Sequence, residues 1–367
     1  MKLYTLFALL TFFLMGCEQQ ADKVRMETTS PQTAGFSEEK LQELSSFLDF
    51  SGTSSMVLAY DGQIFFEWGD IDHKHLIHSI RKPMINALYG RYVNRGVIDT
   101  NQTIADLGIN DIEPSLTEQE KQARIADLLK SRSGIYHDAA AVSEGMLRSK
   151  PERGAFKPGE HYYYNNWDFN VLGHILELKT GKSIYELFHQ EIADPIGMLH
   201  YNGVYTNINI EKTDAPIPDT DGFYQFEPGK SKYPAYHFRM SAHDLAKFGT
   251  LYLNEGNWEG KQIIPERWIE ASTRSYSTTN AYMDIGYGML WNVLNKNEDR
   301  SSRSFFHTGT GIHMLAVYPK SKLVFVHRVN TESDHTFQQN DLYKIIGMIF
   351  EAQHKILIRN FQVFFPR

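Results

Sequence analysis

Ser79-Ile80-Arg81-Lys82-Pro83-Met84-Ile85-Asn86-Ala87-Leu88-Tyr89-Gly90-Arg91-Tyr92-Val93 is the stretch around which the rest of the chain can be read. Met84, Ala87, Leu88 and Tyr92 recur at helical spacing, so the run predicts a largely buried helix. Proline is tolerated only in a helix's first turn, which places the helix start close to Ser79. Residues three apart on a helix share a face, so Lys82 can reach the Ser79 hydroxyl, and the two form a candidate nucleophile and base. A serine at that end also sits near unpaired N–H groups and the positive end of the helix dipole, where a developing anion is favoured. Ser-x-x-Lys recurs by chance in many chains, so the pair needs partners elsewhere before it carries chemistry.

The chain is long enough, at 367 residues with 42% hydrophobic side chains, to bury a large core in one big domain or two moderate ones. A net charge of -7, with no basic block, gives no reason to expect a nucleic-acid partner. The first residues differ from the rest. Lys2 is followed by an apolar run over 3–15 that closes on Leu14-Met15-Gly16-Cys17. The run is too short to span a bilayer and reads as a secretory signal. Its ending looks like a bacterial lipobox, which implies cleavage before Cys17, a lipid on that sulfur and a place on the bacterial cell envelope. The only membrane contact expected is that lipid. Cys17 is the single cysteine, so disulfides, thiolate nucleophiles and zinc fingers drop out together. The polar stretch 18–35 reads as a flexible tether, and 356–367 is an apolar tail to which the sequence assigns no role.

Between them, residues 36–355 read as one body. Ser37 followed by Glu38 and Glu39, with Leu41, Leu44, Phe47 and Leu48, predicts a capped amphipathic helix. Two strand-like runs meet at Asp61-Gly62, a strong hairpin signal. Residues from about 79 to 200 are helical in pattern, including 167–178 and 184–192, and suggest an inserted, mainly helical lobe. The segment 201–239, with four prolines after Ala215 and many aromatics, reads as a long loop serving as a functional cover. Strand candidates follow at 287–293, 304–307, 314–318 and 323–329, then a closing helix at 342–350. Strands at both ends with helices between predict an α+β, two-lobe fold whose mixed antiparallel sheet is drawn from both chain ends.

Two further groups give Ser79 and Lys82 company. Lys157-Pro158-Gly159-Glu160-His161-Tyr162-Tyr163-Tyr164-Asn165-Asn166 carries Tyr-x-Asn after a Pro-Gly turn, and Phe306-His307-Thr308-Gly309-Thr310-Gly311 is a strand end that breaks into glycines. The order Ser-x-x-Lys, Tyr-x-Asn, [Lys/His]-x-Gly resembles the serine β-lactamase and penicillin-binding-protein superfamily, and within it class C β-lactamases, DD-peptidases, β-lactamase-fold esterases and 6-aminohexanoate-oligomer hydrolases. The similarity extends from Phe36 to about Glu351. It implies a β-lactamase/DD-peptidase-like fold and a metal-free hydrolase, without cofactor, that forms an acyl-enzyme on a small ester or amide.

By that resemblance Ser79 is the acylated nucleophile. Lys82 and Tyr164 share the proton relay, and which of them is the base stays open. Asn166 hydrogen-bonds Lys82 and the substrate, while the N–H groups of Ser79 and Thr310 form the oxyanion hole, with Gly309 letting the strand come close. His307 departs from the lysine of β-lactamases and many DD-peptidases. A mostly neutral imidazole attracts a substrate carboxylate less than an ammonium does, which argues against efficient β-lactam hydrolysis. Arg239 and Arg303 could restore the charge, although both read more naturally as exposed surface cations. The alternatives are a DD-peptidase or weak β-lactamase, and a penicillin-binding-like sensor that does not turn over. His73, His75 and His78 lack the pattern of a metal site and read as ordinary histidines, and no Gly-x-Ser-x-Gly elbow points to an α/β-hydrolase.

Overall fold

A computed structural model of the protein describes residues 23–211, 216–297 and 302–353. The lipobox with Cys17 and the apolar tail 356–367 lie outside the described residues. Helix α1 (Glu38–Ser51) starts as expected at Ser37, whose Oγ accepts from the Lys40 N–H. Strands β1 (Ser55–Tyr60) and β2 (Gln63–Gly69) form the hairpin, with Asp61 at φ 49° and Gly62 at φ 85°. Both turn residues are left-handed, the type I′ geometry that Asp-Gly favours because its twist matches that of the flanking strands.

The chain then runs through β3 (His75–Leu76), α2 (Arg81–Asn94), α3 (Ile125–Leu129), α4 (Glu144–Ser149), α5 (Asn166–Thr180) and α6 (Ile184–Phe188). Strands β4 (Tyr205–Asn209), β5 (Gly222–Phe226) and β6 (Ala235–Met240) follow, then α7 (Ala242–Leu253), β7 (Asn257–Trp258), β8 (Lys261–Gln262) and α8 (Glu266–Ser272). The last part comprises β9 (Ser277–Asn280), β10 (Ile285–Tyr287), β11 (Asn292–Leu294), β12 (Ser304–Gly309), β13 (His313–Tyr318), β14 (Leu323–Arg328) and α9 (Gln339–Ala352).

Among the described residues the main sheet has eight strands in the order β2-β1-β14-β13-β12-β11-β10-β9. The first and last long strands of the body, β1 and β14, pair antiparallel as its second and third strands, Val57 opposite Val326. Both faces are covered. Val57, Ala59, Leu315, Val317, Val324 and Val326 belong to the core on the α7 side, whereas Met56, Leu58, Met314, Ala316, Leu323 and Phe325 share a core with α1 and α9. Double burial explains why these strands read as continuous apolar runs rather than alternating ones.

Three expectations are corrected. The stretch 201–239 is not a loop: β4, β5 and β6 join β3 in a four-stranded sheet, where Phe223 stands opposite His237 and Tyr224 opposite Tyr236. Its prolines fall outside the strands, where no ladder hydrogen bond is lost. The single strand expected over 287–293 is two, β10 and β11, folded back on each other with Tyr287 facing Asn292. Within the supposed tether, residues 23–35 are pinned to the body: Met26 is buried and its N–H donates to His243 Nε2 at 3.0 Å, and the Thr29 N–H donates to the Ile64 carbonyl at 2.9 Å.

Candidate active site

Ser79 stands on a 3₁₀ turn, His78–Ile80, that leads directly into α2. The turn is held from both sides. The Ile77 N–H donates to the Phe238 carbonyl of β6 at 3.0 Å, and His78 Nε2 lies 2.8 Å from Thr331 Oγ1. His78 takes φ 46°, a left-handed conformation that costs a non-glycine residue of order 1–3 kcal/mol and tends to occur where surrounding structure fixes it for function. The residue next to the nucleophile candidate is thus the strained one.

Lys82, one turn on, places its Nζ 3.1 Å from Ser79 Oγ and is fully buried. Burial, and then the adjacent Arg81 charge, push its amine well below the ordinary lysine range. Its Nζ sits 4.4 Å from the Phe169 ring centroid and 4.7 Å from that of Tyr164. Among the described residues no carboxylate pairs with it, so no counter-ion favours the ammonium form.

Tyr164 comes from the lead-in to α5, where Asn165 caps the helix by accepting the Trp167 N–H at 3.1 Å. Its ring meets Phe169 and Tyr287 edge-on. Burial raises the phenol above its usual range, opposed by the neighbouring Ser79 hydroxyl and by the charge of Arg81. The result is an amine biased to be neutral and a phenol biased to stay protonated on either side of one hydroxyl.

The opposite wall is β12. Phe305 faces the helical side of the sheet, and strand alternation puts His307 and Gly309 on that face too. His307 is 2% exposed; its Nδ1 is 2.8 Å from the Thr308 carbonyl, which fixes the proton there and leaves Nε2 as a buried acceptor without a partner among the described residues. Burial, with Lys82 nearby, lowers the imidazole to about 3, so it is neutral at physiological pH. A Cβ added at Gly309 would lie 2.6 Å from the Ile77 carbonyl oxygen, so only glycine lets β12 run this close to the segment that carries Ser79. Thr310 is exposed at the turn after the strand.

The structure therefore brings Ser79, Lys82, Tyr164, His307 and Gly309 together from three separate parts of the chain. It does not join Asn166 to Lys82. The Asn166 amide instead donates to the carbonyls of Ala140 and Ala141, and its Oδ1 is buried without a partner among the described residues. Nor do the two candidate replacement cations serve the cleft. Arg239 is ion-paired to Glu332, and Arg303 Nε donates to Thr273 Oγ1 at 3.3 Å. The reading of the motif passed over Arg81, a buried arginine between the serine and the lysine. The two unnamed positions of Ser-x-x-Lys carried no signal that either side chain would point inward. Among the described residues, no group of three or more His, Cys, Asp or Glu side chains is arranged to hold a metal ion.

Comparisons with known proteins bear on the family and the fold. The family model described as Beta-lactamase matches residues 44–346. A protein of Escherichia coli K12 named "Putative D-alanyl-D-alanine carboxypeptidase" is 21% identical over 394 aligned positions, covering 86% of this chain and 88% of its own. Among solved structures, a "Putative 6-aminohexanoate-dimer hydrolase" from Bacillus anthracis superposes with a TM-score of 0.64 at 19% identity, covering 91% of this chain and 89% of that one. A family VIII carboxylesterase gives a TM-score of 0.59 at 18% identity over 86% and 97% of the two chains.

Proposed function

Because the chain belongs to the beta-lactamase family, we propose that it is a serine hydrolase that forms an acyl-enzyme through Ser79 on small esters or amides. The observation that carries the reading is the buried Lys82 amine 3.1 Å from Ser79 Oγ, with the Tyr164 phenol beside them. A serine hydroxyl is a poor nucleophile until a base takes its proton, and a desolvated lysine next to another cation is a competent base near neutral pH. Lys82 accepts the Ser79 proton as Oγ attacks the carbonyl carbon. The N–H groups of Ser79 and Thr310 receive the oxyanion, and Gly309 lets β12 approach the Ser79 segment closely enough for both to reach it. Tyr164 donates its proton to the departing oxygen or nitrogen and is reprotonated from the Lys82 ammonium. Water then hydrolyses the Ser79 ester.

The neutral His307 ranks an esterase or amide hydrolase above a DD-peptidase, and both above an efficient β-lactamase. The carboxypeptidase name carried by the Escherichia coli relative keeps the peptidase reading as the second choice. Intact-protein mass after treatment with a fluorophosphonate, with Ser79→Ala alongside, followed by p-nitrophenyl ester turnover, tests the scheme. Labelling and turnover that both vanish in Ser79→Ala support it. Labelling without turnover points to the sensor, and labelling independent of Ser79 refutes a covalent role for that residue. Nitrocefin should be hydrolysed poorly.

Lipid anchoring at Cys17 is proposed from Leu14-Met15-Gly16-Cys17 alone. Cys17→Ser should release the protein from membranes in cell fractionation, and continued binding would refute the lipobox.

A further inference from the structure

Arg81 occupies the first turn of α2 and is 4% exposed. Its Nε and Nη2 are buried and find no hydrogen-bond acceptor among the described residues. The other buried cations are all provided for. Arg91 pairs with Glu191 and Arg239 with Glu332, Lys247 donates to the carbonyls of Val24 and Gly197, Lys82 contacts Ser79, and Arg328 donates to the Met240, His75 and Leu76 carbonyls. Arg81 alone among them meets neither a carboxylate nor a backbone carbonyl among the described residues: it rests against Tyr236, whose ring lies 5.0 Å from its guanidinium carbon and is backed by Gly173, and whose hydroxyl is its polar neighbour.

The surroundings are neutral or positive on every side. Lys82 follows it on α2, which has no acidic residue in its first turn, where the helix dipole already favours an anion. From the preceding turn comes His78, from the lead-in to α5 Tyr164, from α6 Tyr185, from β6 Tyr236 and His237, and from β12 His307; each feels the Arg81 charge. Burial holds the imidazoles of His78, His237 and His307 uncharged, and the phenols remain protonated. A permanent positive charge next to the nucleophile therefore has no counter-ion among the described residues. Burying a cation that way is costly unless an anion arrives to meet it.

The unused donors have a specific shape. Nε–H and Nη2–H lie along one edge of the guanidinium and point the same way, the fork that takes a carboxylate through two parallel hydrogen bonds. The buried hydroxyl of Tyr236, which neighbours the guanidinium, can add a third donor. We propose that this edge of Arg81 receives a carboxylate of the substrate, so that the hydrolase prefers esters or amides carrying a negative charge close to the scissile bond. The proposal rests on Ser79 being the nucleophile, and it puts the anion on the β6 side of that residue rather than on β12, where His307 offers no charge.

The test compares kcat/KM for p-nitrophenyl glutarate with p-nitrophenyl butyrate, and for 4-carboxyphenyl butyrate with phenyl butyrate, which place the carboxylate on the acyl and the alcohol half in turn. One anionic ester should exceed its neutral counterpart by about tenfold or more, mainly through KM, as expected for a charge-assisted fork. Arg81→Gln should erase that gain, and Arg81→Lys should restore part of it. No gain in either pair, or a gain that survives in Arg81→Gln, overturns the proposal. A measurement on the unmodified protein guards against misfolded variants: free glutarate should slow fluorophosphonate labelling of Ser79, and neutral glutaramide should not. Equal effects of the two would also overturn it. Loss of all Ser79-dependent labelling and turnover would instead sink the hydrolase reading beneath it.

Discussion

Arg81 and Arg328 are both almost fully buried and neither is ion-paired to a carboxylate among the described residues, yet they sit in opposite kinds of surroundings. Arg328, at the end of β14, spends its donors on three backbone carbonyls and on His313 Nδ1 at 3.2 Å, and so ties β14 to β3 and β6. Arg81 leaves Nε and Nη2 without an acceptor among the described residues. A buried charge that is fully hydrogen-bonded belongs to the architecture; one left open beside a nucleophile is available to a ligand.

That contrast makes Arg328→Met the larger perturbation. It strands three carbonyls and an imidazole, and should destabilise the fold by about 3–5 kcal/mol in urea or thermal unfolding. Arg81→Met removes an unmatched charge and should shift stability by less than about 1 kcal/mol, or raise it. If the two variants lose similar stability, Arg81 is structural and the contrast fails.

Gly309 bridges the two regions, since a Cβ there would meet the Ile77 carbonyl at 2.6 Å and the Cβ atoms of His78 and His313 at 3.2 and 3.3 Å. Gly309→Ala should therefore push β12 away from Ser79, lowering kcat about 100-fold while costing about 1–3 kcal/mol of stability. An ester-hydrolysis assay on the folded variant reads the first number, and an activity near wild type would show that the close approach is dispensable.

Acid should separate the regions further. His75, His78 and His327 lie near Arg328, and burial, helped by that charge, lowers them to about 3, 4 and 3 from an ordinary value of 6.5. Unfolded, they bind protons that the folded state refuses. Their contribution is complete above about 6.5 and is lost as pH falls toward 3, by up to about 1.4 kcal/mol per pH unit for each group. Urea midpoints measured from pH 7 to 4 should fall steeply, and a flat profile would show that these rings are hydrated.

Lys82 gives the smallest shift but a clear sign. Its amine must be neutral to act, and its pKa is lowered, so kcat/KM should rise with pH through a limb far below that of a free lysine. Arg81→Gln should move that limb to higher pH, because a repelling charge has gone.

What the sequence made legible follows from how local each signal is. The hairpin at Asp61-Gly62, the Ser37 cap and the Ser79–Lys82 spacing are set within a few residues and stand where they were expected. The apolar runs of β13 and β14 were equally plain. The sheet over 201–239 was hidden because its prolines mimic a loop, and its aromatic pairs, Tyr224 with Tyr236 and Phe223 with His237, face each other only after folding. Arg81 was missed because its inward position depends on Tyr236 and Gly173, both distant in the chain. Asn166 finds its partners at Ala140 and Ala141, in a segment with no motif of its own.

The pairing of β1 with β14 sets a condition on when this protein can come into being. Its main sheet contains a seam between the beginning and the end of the body, so the long-range contacts that close it cannot form until Arg328 has been synthesised. Until then the alcohol at 79 and the strand at 307 belong to an open polypeptide, and a chain cut short before that seam would carry the motif residues without a cleft to hold them.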